Sequence, residues 1–286
     1  MAQILFVTCN RWPNISQSDT LVANALIEQG HRAEPAPWQG DFTRLQAADL
    51  IILRSQWDYH YDVAGFTAWL DRIEAATLPV YNSVSLVRWN LHKGYLFDLQ
   101  ARGVSIPTTR LLQVGAEPEP IFEQQGWDAA IIKPLAGASS HLVERVKRVD
   151  LANWSAQIRP QRADGAWLIQ EFRPEIQQTG EWSLVFLAGH FSHAVVKQPS
   201  VGEFQLKSQY TDQIRRVTPA PTLLHQAQQV IAGLPIHPLY ARVDGILSAQ
   251  GDFLVLELEL NEPGLYFTFA PEQAVHFAEV IQAKLG

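Results

Sequence analysis

The sequence is short of cysteine, of clustered positive charge and of long apolar runs, and each shortage removes a class of protein. Cys9 is the only cysteine, so no internal disulfide forms. The formal net charge is −7 and the 22 Lys and Arg gather in no run, which leaves counterion-release binding to nucleic acid or an anionic membrane without a basic face. A phosphate ligand held by a few local cations stays open. No apolar stretch approaches the ~18 residues needed to cross a bilayer. Met1 is followed by no charged n-region and apolar h-region, so a cytoplasmic protein is expected. The patterns GxxxxGK[ST], HExxH, CxxC and GxSxG are missing, and the nine histidines lack metal-ligand spacing. His190 and His193 stand three apart in a predicted strand and so on opposite faces; His141, in a small-residue loop, is the histidine of interest. Nine tryptophans without a basic groove read as core or pocket wall.

What is present is an ordinary globular composition, 47% hydrophobic and 18% charged over 286 residues, enough for a substantial core and two or three subdomains. The first ~80 residues alternate short apolar runs with helical spacing, as in a small α/β sheet covered by helices. ILFVT (4–8), ADLIILRS and Val80-Tyr81 are predicted strands. Ser18 and Asp19 offer an N-cap to TLVANALIEQ, and FTAWLDRIEAA is a second helix. SLVRWNLHKGYLFDLQARG is helical by spacing, which puts Lys93 on a helix. Beyond it AAIIKP, HLVERV, WLIQEF, EWSLVFLAG and HFSHAVVK read as antiparallel strands, with a hairpin at Gly189. A helix TLLHQAQQVIAG, a hairpin LYARVDGIL/FLVLELEL and a closing helix AVHFAEVIQAKL follow.

The segment LVLELELNEP (254–263) puts Leu254, Leu256, Leu258 and Leu260 on one face and Val255, Glu257, Glu259 and Asn261 on the other. A half-exposed strand with its polar side in water explains that pattern as well as a cation site does. The predicted hairpin adds Asp244 and Arg242 to the same face, and several oxygens beside an arginine suit a hard divalent cation and phosphoryl chemistry; a plain surface salt bridge is the alternative. Lys133 ends a strand and enters the loop PLAGASSH, a weak phosphate signal. WLIQEF turns polar at Gln170 and Glu171, as a nucleobase pocket needs, and Glu181 opens the next strand within reach of a ribose. Lys197 begins a loop of about a dozen residues, read as a closing lid.

Taken in order, RWNLHKGYLFDL, IIKPLAGASS, LIQEF, GEWSLVF, AVVKQP, YARVDG and LELN resemble the ATP-grasp superfamily of carboxylate-amine ligases, in the neighbourhood of prokaryotic glutathione synthetase and D-alanine–D-alanine ligase. LRSQWDYH, VRWNLHK and FSHAVVKQP are also similar to the subgroup containing the D-cycloserine-forming cyclo-ligase. The resemblance implies an α/β (α+β) ATP-grasp fold: a Rossmann-like pre-ATP-grasp subdomain over 1–82, then an ATP-clamping domain over 83–286 in two parts, about 108–175 and about 176–286. It implies ATP and two Mg2+ ions as cofactors. Lys93, Lys133 and Ser139 would meet the phosphates, Gln170, Glu171 and Phe172 the adenine, and Glu181 the ribose. Lys197 and Arg242 would act on the transferring phosphoryl group, and Asp244, Glu259 and Asn261 would hold the metal, with Glu257 as a further or substitute ligand. The loop Gly137–His141 departs from the family in carrying one glycine. For an amino-acid-like substrate, the end of the strand at Arg54, with Ser55, Trp57 and Asp58, is the expected binding place. The implied activity is an ADP-forming ligase that activates a carboxylate as acyl-phosphate for an amine-type nucleophile, from a second molecule or by ring closure. A small-molecule kinase and a non-catalytic nucleotide-binding module are the alternatives. By analogy alone the family suggests a homodimer.

Overall fold

The computed structural model describes residues 1–138, 140–162, 165–198 and 213–285. Ser139 and positions 199–212 of the expected lid lie outside them. Thirteen strands form three sheets among these residues. In the first, Gln3–Thr8 (β1), Arg32–Pro37 (β2), Leu50–Leu53 (β3) and Val80–Tyr81 (β4) run parallel in the order β2-β1-β3-β4. Thr109–Leu112 (β5), Ala129–Pro134 (β6), Glu144–Lys147 (β7) and Trp167–Glu171 (β8) make an antiparallel sheet ordered β5-β8-β6-β7. Glu181–Leu187 (β9), His190–Lys197 (β10), Ile214–Val217 (β11), Tyr240–Leu247 (β12) and Phe253–Glu259 (β13) make the third, also antiparallel, ordered β11-β10-β9-β12-β13.

The parallel sheet is covered on both faces, which is why its strands read as unbroken apolar runs. Ile4, Phe6, Leu50 and Ile52 pack against the helix Gln17–Glu28 and against Phe277 and Ile281 of the last helix, Pro271–Gln282. Leu5, Val7, Ile51 and Leu53 face Phe66, Trp69 and Ile73 of Val63–Ala75 on the other side. The chain's last helix therefore completes the core of its first sheet. The cap of the first helix is Ser16, whose Oγ accepts the Asp19 amide at 3.0 Å. This corrects the expected cap at Ser18-Asp19: Asp19 lies one turn in, buried, and is spent on an ion pair described below.

Three further corrections come from breaks in periodicity. The helical spacing over 85–103 is interrupted: Val84–Asn90 and Tyr95–Ala101 are separate helices, and Lys93 sits in the break, not on a helix. In β13 the register with β12 shifts, Asp244 pairing with Glu257 but Gly245 with Val255, so Leu256 is an extra residue. A bulge of this kind inverts the alternation. Phe253, Val255, Leu258 and Leu260 enter the core, while Leu256, Glu257 and Glu259 face a cavity, so the expected four-leucine core face does not exist. A second bulge, between Phe191 and His193 of β10, places His190 opposite Leu187 and His193 opposite Val185, hence on one face rather than two. The β9–β10 hairpin does turn at Ala188-Gly189, both with positive φ, 47° and 83°, the geometry that favours a glycine in two-residue hairpins.

The outer edge of β13 is occupied by side chains. Asn90 Nδ2 donates to Leu258 O at 2.8 Å and its Oδ1 accepts Leu260 N at 2.8 Å; Tyr95 Oη accepts Leu258 N at 3.0 Å, and Val255 N donates to Ser105 O at 2.9 Å.

Candidate active site

Across the third sheet, register aligns one row of charges. Lys197 stands opposite Glu181 on β10 and β9, Ser183 opposite Asp244 on β9 and β12, and Arg242 and Asp244 opposite Glu259 and Glu257 on β12 and β13. By contact the charges alternate, in the order Glu181, Lys197, Asp244, Arg242, Glu259. Lys197 Nζ donates to Glu181 Oε1 at 2.6 Å and lies 4.0 Å from Asp244 Oδ1. Arg242 Nε reaches Asp244 Oδ1 and Oδ2 at 2.9 and 3.0 Å, Nη2 reaches Oδ2 at 2.8 Å and also Glu259, and Nη1 donates to Gly264 O at 2.9 Å. The other face of these strands carries Leu184, Phe186, Val243 and Leu258 into the core, which fixes the row in place.

Two more lysines reach the row from outside the sheet. Lys93, in its break between helices, pairs with Glu257 and donates to Gly137 O at 2.9 Å. Lys133, at the end of β6, donates to Gln170 Oε1 at 3.1 Å and to Leu256 O at 3.4 Å. Together these groups line a cavity of about 500 Å3, one wall of which is Ile131, Gln170 and Glu171 of the second sheet with Phe172 just beyond it.

Burial sets the electrostatics. Burial and the neighbouring Lys93 ammonium push Lys133 down to about 8, against the pull of Glu257 and Glu181. Lys93 has the same burial but a direct carboxylate partner, and Glu257 holds it above its ordinary range. Burial, with Asp244 and Glu257 repelling against Arg242's attraction, raises Glu259 to about 7. Asp244 is buried too, yet Arg242 and Lys197 hold it below the usual carboxylate range. Closely placed carboxylates whose pKa values are driven apart are a feature of sites that handle charge.

The structure brings most of the predicted residues together. Lys93, Lys133, Gln170, Glu171, Phe172, Glu181, Lys197, Arg242, Asp244 and Glu259 all line the cavity, as does Trp57. Four do not. Arg54 is fully buried, its Nε on Asp19 Oδ1 at 3.1 Å, its Nη2 on Pro263 O at 2.6 Å and its guanidinium 4.7 Å over the Tyr240 ring. It ties the first sheet to the segment after β13. Ser55 is buried beside it, and Asp58 accepts Trp38 Nε1 and Gln39 Nε2, both at 2.8 Å. Asn261 is turned inward, with Oδ1 accepting Gln56 Nε2 at 2.7 Å. Gln170's carboxamide is also engaged, holding Lys133 on one side and donating to Thr109 Oγ1 at 2.9 Å on the other. Glu171 is paired with Arg173 at 3.2 Å.

The sequence reading missed Glu262, Trp12 and Tyr59, which also line the cavity. Glu262 had a signal, as the third carboxylate of LVLELELNEP. Trp12 had none, because its placement depends on the fold.

Residues 4–82 match the family model of the D-cycloserine synthetase DcsG N-terminal domain. The cycloserine biosynthesis protein DcsG of Streptomyces lavendulae is 29% identical over 278 residues, 90% of each chain. The crystal structure of D-cycloserine synthetase DcsG superposes with a TM-score of 0.89 at 25% identity, covering 99% of this chain and 100% of that one. D-alanine–D-alanine ligase from Bacillus anthracis, complexed with ATP, shares the fold at a TM-score of 0.70 and 14% identity, over 99% and 95% of the two chains. The chain has the fold of the ATP-grasp ligases, and with the cavity's paired lysines, arginine and carboxylates the likeness to DcsG supports an ATP-dependent ligase.

Proposed function

We propose that the enzyme activates the carboxylate of an amino-acid-like substrate and joins it to an amine-type nitrogen, with ring closure within one molecule as the variant favoured by its likeness to D-cycloserine synthetase. The observation that carries the reading is the alternating row Glu181–Lys197–Asp244–Arg242–Glu259, closed over by Lys93 and Lys133 in one cavity.

The substrate carboxylate oxygen attacks Pγ of ATP, the bond from Pγ to the β-γ bridging oxygen breaks, and ADP leaves with that bond's electron pair. Lys93 and Lys133 neutralise the phosphates, and Arg242 faces the charge that builds on the transferring group. The nitrogen nucleophile then attacks the acyl carbon, phosphate departs and the nitrogen loses a proton. No side-chain nucleophile is needed, because the acyl-phosphate is the activated species. The ends of β8 at Glu171 and Phe172 form the adenine wall, and Glu181, once Lys197 turns to phosphate, faces the ribose.

The donor set fits magnesium: Asp244 and Glu259 are hard oxygen donors bracketed by Arg242, and Mg2+ takes most of its remaining ligands from phosphates and water. Asp244 and Glu259, with Glu257 as substitute for the inward-turned Asn261, would hold two such ions. When bound, magnesium supplies charge neutralisation on the phosphates.

The test is magnesium-dependent release of ADP and inorganic phosphate from ATP across amino acids and their hydroxylamine-type derivatives, O-amino-serine of either hand included, singly and in pairs. Stimulated release of both, lost in Arg242→Ala and Glu259→Gln, is expected; a kinase would release ADP without phosphate. Turnover with a single compound to a product of that compound's mass less one water identifies ring closure, whereas self-condensation gives twice the mass less one water. No stimulation by any member while ATP still binds would refute this substrate class.

A further inference from the structure

All but one of the carboxylates lining the cavity meet a cation. Glu171 has Arg173, Glu181 has Lys197, Asp244 and Glu259 share Arg242, and Glu257 has Lys93. Glu262 lines the same cavity at 9% exposure, and among the described residues no cation or donor reaches its carboxylate. The backbone around it is held on three sides: Trp57 Nε1 donates to Glu262 O at 3.0 Å, Arg54 Nη2 to Pro263 O at 2.6 Å and Arg242 Nη1 to Gly264 O at 2.9 Å. Such anchoring points to a fixed side chain. Trp57 meets Trp12 edge-to-face, ring centroids 5.8 Å apart, and both indoles line the cavity with Glu262.

A buried carboxylate without a partner is costly, and Glu259 and Glu257 nearby raise that cost by repulsion. The described chain supplies no cation to this side chain, so a cationic ligand group would be its first partner. The donors proposed above for the nucleotide's magnesium are Asp244, Glu259 and Glu257, each already beside a cation of the chain, and Glu262 stands outside that set. An ammonium needs one carboxylate and is further stabilised by indole faces. We propose that Glu262, walled by Trp12 and Trp57, binds the free ammonium of the substrate and so selects amino acids over their N-acylated and desamino counterparts. The proposal rests on the ligase reading above, and it locates the acceptor end of the cavity at residues 12, 57 and 262 rather than at Arg54.

The experiment compares wild type with Glu262→Gln, a substitution of nearly equal shape, on the amino acid that best stimulates ADP release. Loss of one charge-assisted hydrogen bond predicts a rise in KM for the amino acid on the order of tenfold to a hundredfold, with KM for ATP and the magnesium dependence unchanged. The N-acetyl and desamino forms of that acid should be poor substrates of wild type, and the variant should discriminate against them less. An unchanged KM for the amino acid, or a change confined to ATP and magnesium, overturns the assignment. If no acid stimulates wild type, the ligase reading has failed on its own. Thermal shift in ADP and magnesium, with D- and L-serine and O-amino-serine beside their N-acetyl forms, then judges Glu262 separately. Protection by the free amines in wild type and not in Glu262→Gln supports the site; no protection by any amine, or equal protection in both proteins, refutes it.

Discussion

Arg242→Ala isolates the group at the centre of the charge row. The substitution removes three hydrogen bonds to Asp244, at 2.8 to 3.0 Å, the pairing with Glu259 and the bond to Gly264 O at 2.9 Å. The side chains of Arg242 and Asp244 are only 8% and 3% exposed, while Glu259 is 24% exposed. Removing one partner of a buried ion pair costs about 3–5 kcal/mol, because the other charge is left behind. Here the lower end applies. Glu259 regains some water, and Lys197, 4.0 Å from Asp244, takes up part of the freed charge. A loss of about 3 kcal/mol, at about 2–4 °C per kcal/mol for a chain of this size, lowers Tm by roughly 6–12 °C. Calorimetry at low salt without nucleotide reads this directly. The same variant leaves two carboxylates free, so millimolar Mg2+ alone should raise its Tm by several degrees and leave wild type nearly unmoved. In turnover, a cation that faces transferring phosphoryl charge is worth ~10³ or more in rate. An unchanged Tm, or an equal response to Mg2+ in both proteins, would refute the account of the row as a self-neutralised site.

Gly245→Ala forces a Cβ to within 2.6 Å of Leu254 O and of the Phe253 ring at the bulge; we expect a loss of about 1–3 kcal/mol together with weaker ATP–Mg2+ binding, and a variant with normal Tm and normal binding would contradict the bulge. His193 is buried, with Nε2 on Leu265 O at 2.8 Å, and burial with Arg216 lowers its pKa to about 4. It folds neutral, so its contribution is complete above the ordinary value of about 6.5 and is lost as pH falls from there toward 4, up to about 3 kcal/mol. Denaturant titrations at pH 7 and 5 should show a shallower loss in His193→Gln than in wild type, and parallel losses would sink the assignment. Lys133 is charged below about 8, and phosphate prefers the charged form, so ATP affinity should hold at lower pH and weaken by up to about tenfold per unit above it. Isothermal titration from pH 6.5 to 9.5 should lose this slope in Lys133→Ala; a slope that survives would assign the titration to another group.

The order of elements was legible because the local signals agree with the fold. Apolar runs mark β1 and β3, Gly189 marks the β9–β10 turn, and the LYARVDGIL/FLVLELEL hairpin places Asp244 opposite Glu257. What escaped depends on tertiary placement. β2 reads RAEPAP, with two prolines that argue against a strand, and it is tolerated because it sits at an edge where the missing N–H groups are not needed. The bulge at Leu256 has no local signature beyond Gly245 across the ladder, so the leucine alternation was misleading past it. Arg54 sits among polar residues at a strand end, as a substrate-binding arginine would, yet Asp19 is what it meets. Nothing in either segment announces that pairing over 35 residues. The seven residues of the row and its lysines are legible from their order along the chain, whereas Trp12 and Tyr59 become visible only when three segments meet, and Glu262 carries only the signal of a third carboxylate after the strand.

Asn90, Tyr95 and Ser105 bear on assembly as well as on the site. A terminal strand normally offers its free amides and carbonyls to any other chain that arrives extended. Along β13 those groups are already taken: Leu258 N and O, Leu260 N and Val255 N are all bonded to the stretch that follows the first sheet. A second copy cannot lengthen the sheet there by adding a strand, and neither can an unfolded neighbour during synthesis. The strand that carries Glu257 and Glu259 is thereby shielded from the one kind of contact that would bury its carboxylates in another molecule.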